Sequence, residues 1–444
     1  MPAISGPERN RVTGLDVAIA AHELWNAPGH CGIHCLILFA GSAPSVDELR
    51  DLVVRRWGDV DRLAYRLDVP GEGRVPARLR RRVYWTGGAF DVMRRVRGYQ
   101  LPPATPLRDF VSVLLAEAVP LAEAGWRLSL LSGYDQDQFA ILLQMNHGIA
   151  DGVSAMMLID RLLRPATPGA GRVLAPPRTI GQAAPGATRG SRSPWPVLRT
   201  ALRPSKRLPY NRGRSADRFF TWVDMSAEAV AAARRAARPQ ASATANDVCL
   251  AVVAGALRAT ILDRGDPLPR RLYIGVPLNM RGRDQAANIG NYVSHIRLPL
   301  PVRTADQVQR LREISQLTRD GANIKYAAAS GNLLGMVARL PLPAALAGIR
   351  HMLSASYIST WCTAVPPLSP QLNLLGRPVL GGAGGPPGMV SHGLVFAFCP
   401  FRGSYTIGVT ADGMHRDFAS SVCEALRREV AQFACHRVEP VPVS

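Results

Sequence analysis

"MNHGIADGVSAMMLIDRLL", residues 145–163, ends one pattern and begins another. Upstream, "WRLSLLSGYDQDQFAILLQMNH" reads as two apolar strands joined by a polar turn around Gly133 to Gln138, which places His147 at a strand end. Downstream, the apolar residues recur at helical spacing. Between them, Gly148 and Gly152 leave the backbone room to bend and a substrate room to approach, and Asp151 follows His147 by four residues. An imidazole with an unperturbed pKa of about 6.5 can take a proton from an attacking alcohol or amine at neutral pH. Asp151 then either orients that imidazole or braces the loop by pairing with an arginine. A strand-end histidine also occurs as a plain structural residue, so this stretch alone leaves both readings of His147 open.

Working outward, strands and helices are mixed throughout. "SVDELRDLVVRRWGDV" opens at Ser45 with a good N-cap and repeats Leu49, Leu52, Val53 and Trp57 at helical spacing. "TANDVCLAVVAGALRATILDRG" predicts a long, almost wholly apolar helix that stops at Gly265 and is buried on most sides. "RLYIGVPLNMRG" and "GNYVSHIRLPLP" read as strands flanking a polar loop, and "GLVFAFCPFRGSYTIGVTAD" as a hairpin turning at Arg402-Gly403. "FASSVCEALRREVAQFACHRV" is an amphipathic closing helix, and "GGAGGPPG" (381–388) reads as a loop with no phosphate-loop context. Dense Pro, Gly, Ser and Arg after Arg164 mark a lobe boundary. The division is 1–165 for a first lobe, 166–215 for a crossover linker and 216–444 for a second lobe, in an α/β (mixed α+β) class with mixed sheets.

A chain of 444 residues exceeds one hydrophobic core, which fits two lobes. The net charge of +20 is carried by arginine, the only lysines being Lys206 and Lys325. Such a surface is either simply solvated or suited to an anionic partner: coenzyme phosphates, an acidic carrier protein or a membrane surface. Zinc-finger spacing, basic heptads and aromatic-basic RNA-binding signatures are missing, so nucleic acid is disfavoured. Seven scattered cysteines do not form a disulfide framework and point to a reducing cytoplasm. "GHCGIHC" (29–35) crowds His30, Cys31, His34 and Cys35, yet strand alternation would split these side chains between two faces, against a metal site. Neither the charged N-terminus nor any later run reaches the roughly 18 uncharged apolar residues that span a bilayer.

"NHGIADGVSAMMLIDRLL" resembles the HHxxxDG segment of the acyl-coenzyme-A-dependent acyltransferase superfamily. "TGLDVAIAAHE", "FDVMRRVRGYQLP", "ANDVCLAVVAGALRATI", "YIGVPLNMRG" with "GNYVS", and "FRGSYTIGVTAD" are similar, in the same chain order, to the wax ester synthase/diacylglycerol acyltransferase branch. The resemblance implies two chloramphenicol-acetyltransferase-like lobes with a tunnel between them. It implies that the residue at His147 deprotonates an acceptor hydroxyl and that Asp151 pairs with an arginine of the other lobe, Arg281 being the match; without it Arg281 is a loop charge beside Arg283. Asn246 would donate to the developing oxyanion or cap its helix. Asn291 would form active-site wall or strand support, and Gly152 with Asn146 would contact substrate. Trp126 is expected to pack beneath the His147 strand, and His392 to be structural rather than tunnel-lining.

Two departures stand out. Asn146 replaces the family's first histidine, and "TAVPP" (363–367) replaces Ser-Asn-Val-Pro-Gly, losing an asparagine at Ala364 and a glycine at Pro367. Both favour a specialised secondary-metabolite acceptor over storage-lipid synthesis. The expected reaction is direct acyl transfer from a thioester, acyl-coenzyme A or acyl carrier protein, to an alcohol, with no metal, no redox cofactor and no acyl-enzyme. A cytoplasmic protein, peripheral at the membrane, is implied. The rival expectation is a non-catalytic, condensation-like domain that binds a carrier protein.

Overall fold

The alternating apolar segments assemble into two six-stranded mixed sheets in a computed structural model. The described residues are 9–11, 16, 32–68, 84–123, 125–165, 203–211, 215–321, 325–327, 329–331, 333, 347, 351–352, 354–386 and 392–435. Most of the crossover read at 166–215, namely 166–202 and 212–214, lies outside them, as do His30 and Cys31. A small sheet joins β1 (Arg9–Arg11), β4 (Tyr84–Thr86) and β3 (Arg66–Asp68) in that order.

The first large sheet contains β2 (Gly32–Ala40), β5 (Val96–Gln100), β6 (Trp126–Ser132), β7 (Gln138–Asn146), β12 (Asn373–Leu374) and β13 (Arg377–Gly385), ordered β12-β13-β2-β7-β6-β5. The second contains β8 (Arg218–Met225), β9 (Tyr273–Asn279), β10 (Val293–Pro299), β11 (Thr360–Ala364), β14 (Leu394–Phe401) and β15 (Ser404–Asp412), ordered β10-β9-β11-β14-β15-β8. Residues after 216, read as one lobe, thus lend two strands to the sheet of the other. The expected loop at 381–388 is corrected as well, because Gly381 to Gly385 belong to β13 and pair antiparallel with β2. Their composition disfavours a strand in isolation. Packing requires it here, because β15 of the second sheet lies against the strand: a Cβ at Gly385 would stand 2.2 Å from Thr410 Oγ1, and one at Gly408 2.0 Å from Gly384 O. Only glycine lets the two sheets approach so closely.

Helices follow the sequence pattern. In α1 (Val46–Trp57), Ser45 and Glu48 form a capping box, and Leu49, Leu52, Val53 and Trp57 are buried as their spacing predicts. Next come α2 (Leu107–Ala116), α3 (Gly152–Leu163), α4 (Ala227–Ala237), α5 (Ala245–Asp263), α6 (Gln307–Arg319) and α7 (Arg416–Cys435). Of the described helices only α5 is long and apolar enough to cross a membrane, but 72% of its apolar window is buried, which marks a core helix. It ends where Gly265 takes φ +74° and its N–H bonds Leu262 O at 2.8 Å. Arg402 and Gly403, both with positive φ, make the tight turn of the β14–β15 hairpin. Helix α2 joins the lobes: Ser112 Oγ accepts from Phe220 N at 3.0 Å, and Arg108 Nη1 donates to Thr221 Oγ1 at 3.1 Å. Trp126 is buried in β6, beside Met145 of β7 rather than beneath that strand, and its Nε1 donates to Leu63 O at 2.9 Å.

Candidate active site

Strand β7 ends at Asn146, so the chain turns at His147 and re-enters regular structure at α3. Asp151 is the N-cap of α3, accepting from Ser154 N at 2.8 Å through Oδ1. Across the lobe boundary Arg281 meets the same carboxylate with both ends of its fork, Nη1 to Oδ2 at 2.8 Å and Nη2 to Oδ1 at 2.9 Å. Tyr292 N adds a bond to Oδ2 at 2.9 Å. The remaining Arg281 donors reach Ser154 Oγ at 2.5 Å, Gly290 O at 3.1 Å, Asn279 Oδ1 at 3.2 Å and Asn288 O at 3.3 Å. Both side chains are excluded from water, 0% and 3% exposed. A buried ion pair repays its desolvation only when its other hydrogen-bonding positions are filled, and here they are. Arg281 is thus the interlobe brace rather than a surface charge.

His147 is half-buried, and its Nδ1 lies 3.0 Å from Asn291 Oδ1. The Asn291 amide has one orientation consistent with its neighbours. Its Nδ2 donates to His147 O at 2.7 Å and to an Asp16 carboxylate oxygen at 2.8 Å, both of which can only accept. Oδ1 therefore faces Nδ1 and calls for a proton on that nitrogen, which leaves Nε2 with its lone pair. Among the described residues Nε2 has no hydrogen-bond partner. Asp16 is held in turn by Arg62 Nη2 at 2.5 Å, and Arg62 also donates to Gly148 O at 2.9 Å and Ile149 O at 2.6 Å.

Asn146 takes a different place from the one expected. It is fully buried; its Nδ2 donates to Val119 O at 3.1 Å and its Oδ1 accepts from Gly148 N at 3.0 Å. Its amide braces the turn instead of facing a substrate. Gly148 is required by packing, since a Cβ there would stand 2.6 Å from Leu121 Cδ1, whereas around Gly152 nothing lies within 4 Å of that position. Asn246 is half-buried in the first turn of α5, and the cap it was a candidate for is made by Thr244 with Asp247. His392 is buried, with Nε2 donating to Ile358 O at 2.7 Å. Sequence reading missed Asp16, Arg62 and Ser154; only Asp16 carried a signal, through the "TGLD" stretch.

The described residues hold no cluster of three or more potential metal ligands and no disulfide. Burial pushes the Cys35, Cys399 and Cys423 thiols up to about 12, which keeps them protonated and poor nucleophiles at neutral pH.

Residues 13–262 match the wax ester synthase/diacylglycerol acyltransferase catalytic domain, and residues 289–433 match the WS/DGAT C-terminal domain. The chain belongs to this family. Among WS/DGAT relatives, the "Probable diacyglycerol O-acyltransferase tgs2" of Mycobacterium tuberculosis is 28% identical over 307 residues, 62% of this chain and 66% of that protein, slightly under two thirds of its length. In fold, the chain is similar to a wax ester synthase/diacylglycerol acyltransferase from Marinobacter aquaeolei VT8, with TM-score 0.62, 19% identity and coverage of 96% and 100%. The first condensation domain of the CDA synthetase has TM-score 0.64 at 16% identity, with 97% of each chain covered. The WS/DGAT fold is therefore the two-lobed, chloramphenicol-acetyltransferase-like one that the resemblance implied, and the family is one of acyltransferases.

Proposed function

We propose that this chain transfers an acyl group from a thioester to a hydroxyl, with His147 as general base. The observation that carries the reading is the Asn291 amide, whose contacts leave the lone pair of His147 on Nε2. Nε2 takes the hydroxyl proton as the oxygen bonds to the thioester carbonyl carbon. The tetrahedral oxyanion collapses, the carbon–sulfur bond breaks, and the departing thiolate takes the proton from the imidazolium. Ester and free thiol are the products, and the reaction so written needs no metal, redox cofactor or acyl-enzyme. Asn246 is the candidate donor to the oxyanion, since the capping role is filled by Thr244. Arg281, Asp151, Arg62 and Asp16 hold the loop and touch no reacting atom. The donor is an acyl-coenzyme A or acyl carrier protein, and the acceptor a lipid or secondary-metabolite alcohol.

The test is thiol release from a panel of acyl thioesters, with and without alcohols, for the protein and its His147→Ala variant. Alcohol-dependent release should fall by about 10²- to 10⁴-fold in a folded variant. Equal release from both proteins would assign His147 a structural role. Carrier-protein binding with no turnover over the whole panel would favour the condensation-like binding domain.

A further inference from the structure

The segment that braces the His147 loop has a second role. Val119 O and Gly125 O accept from Asn146, and Leu121 packs on Gly148. Val119, Pro120, Gly125 and Trp126 also line a cavity of about 440 Å³, within the roughly 300–1,000 Å³ range of small-ligand sites. Five arginines reach this cavity, Arg66, Arg94, Arg95, Arg97 and Arg127, against the carboxylates of Asp91 and Glu123. Asp91 is engaged by Arg94, and Arg127 by Glu117 outside the cavity. Arg66, Arg95 and Arg97 have no carboxylate partner among the described residues.

Arg95 is the sharpest case. It is 5% exposed and sits 5.1 Å over the Trp126 ring. Its Nη1 donates to Leu63 O, while its buried Nη2 has no hydrogen-bond partner. The buried Nε of Arg66 is likewise unpartnered. Burial, and then the charge of Arg66, pull the Arg95 guanidinium down to about 10. Two cations that line one cavity and each keep an unused, buried N–H are unfavourable unless an anion joins them. The guanidinium fork matches phosphate oxygens.

We propose that this cavity is an anion site that takes a phosphate group, held by the guanidinium groups of Arg95 and Arg66 with Arg97 at its rim. The volume leaves room for the group that the phosphate is attached to. That group belongs to a coenzyme, to a small phosphorylated metabolite or to a phospholipid headgroup. Only the coenzyme source rests on the acyl-transfer reading, and binding is read without turnover, so either idea can fail alone.

Calorimetric titration of the full chain with inorganic pyrophosphate at physiological ionic strength tests the site. Saturable binding is expected, weakened about 10-fold or more in Arg66→Gln and in Arg97→Gln, and unchanged in Arg235→Gln on α4. Arg97 is exposed, so its variant stays informative even if changes at Arg66 disturb folding. Competition by coenzyme A assigns the coenzyme source. Competition by phosphatidylcholine vesicles containing phosphatidic acid, and not by phosphatidylcholine alone, assigns the lipid headgroup. Competition by neither assigns a small metabolite. No pyrophosphate binding by the unaltered protein, or binding indifferent to both Arg66→Gln and Arg97→Gln, overturns the proposal.

Discussion

Asp151 and Arg281, from different lobes, share two parallel hydrogen bonds of 2.8 and 2.9 Å in a site closed to water. The same carboxylate caps the helix that follows the His147 loop, so one side chain fixes both the local turn and the interlobe distance.

Removing one partner of such a pair leaves an uncompensated buried charge. Arg281→Ala should lower unfolding stability by about 3–5 kcal/mol, and Arg281→Lys should recover only part of it because an ammonium cannot bridge both oxygens. Urea denaturation of the three proteins checks this. Unchanged stability in Arg281→Ala would mean that the pair adds nothing net.

Asn291 should act on turnover more than on binding. Asn291→Ala removes the acceptor for Nδ1–H and the donor to His147 O, so kcat should fall about 10-fold or more with KM little changed. Steady-state kinetics on a thioester and an alcohol would show it. A KM effect alone would place Asn291 in substrate contact instead.

The two glycines of the loop should separate cleanly. Gly148→Ala drives a methyl against Leu121 and should cost about 1–3 kcal/mol, recovered in part by Leu121→Ala. Gly152→Ala meets open space and should leave stability within about 0.5 kcal/mol. Thermal or urea unfolding of the four variants reads this pattern, and equal costs at both glycines would contradict it.

Acid sensitivity follows from buried imidazoles. Burial lowers His34 to about 3 and His392 to about 4, against an ordinary value of 6.5. Each is neutral when folded and takes up a proton more readily when unfolded. Its contribution is therefore fully present above pH 6.5 and is lost as pH falls from there towards the folded value. Between pH 6.5 and 5 the loss should be about 2 kcal/mol for each histidine. Denaturation midpoints for the protein and His34→Gln across that range should show a shallower decline in the variant, and parallel curves would remove His34 from the account.

Much of the site was legible because its residues carry chemistry in compact motifs. His147, Asp151 and Arg281 sit in glycine-bounded turns at the ends of strongly patterned strands. Asn291 was ambiguous between wall and support, and its role became readable only once two acceptors were seen around its Nδ2. Asp16 and Arg62 lie far from the motif, and no periodicity joins them to it. Asn146 misled because its partners are backbone atoms of a short irregular segment, to which side-chain patterns give no access. The glycine-rich strand β13 misled for a related reason: propensity measures a residue against average surroundings, and here a second sheet presses against it.

The return of β12 and β13 to the first sheet has a consequence for synthesis. As the chain leaves the ribosome, β2, β6 and β7 emerge early, but the strand that covers the outer edge of β2 is made only when residues 377–385 appear. Until then that edge presents unpaired backbone groups along a largely apolar strand, a ready template for a neighbouring nascent chain. A gene cut at the crossover would leave the first product permanently in this state, and the missing strand would have to be supplied in trans by co-expressing the second fragment.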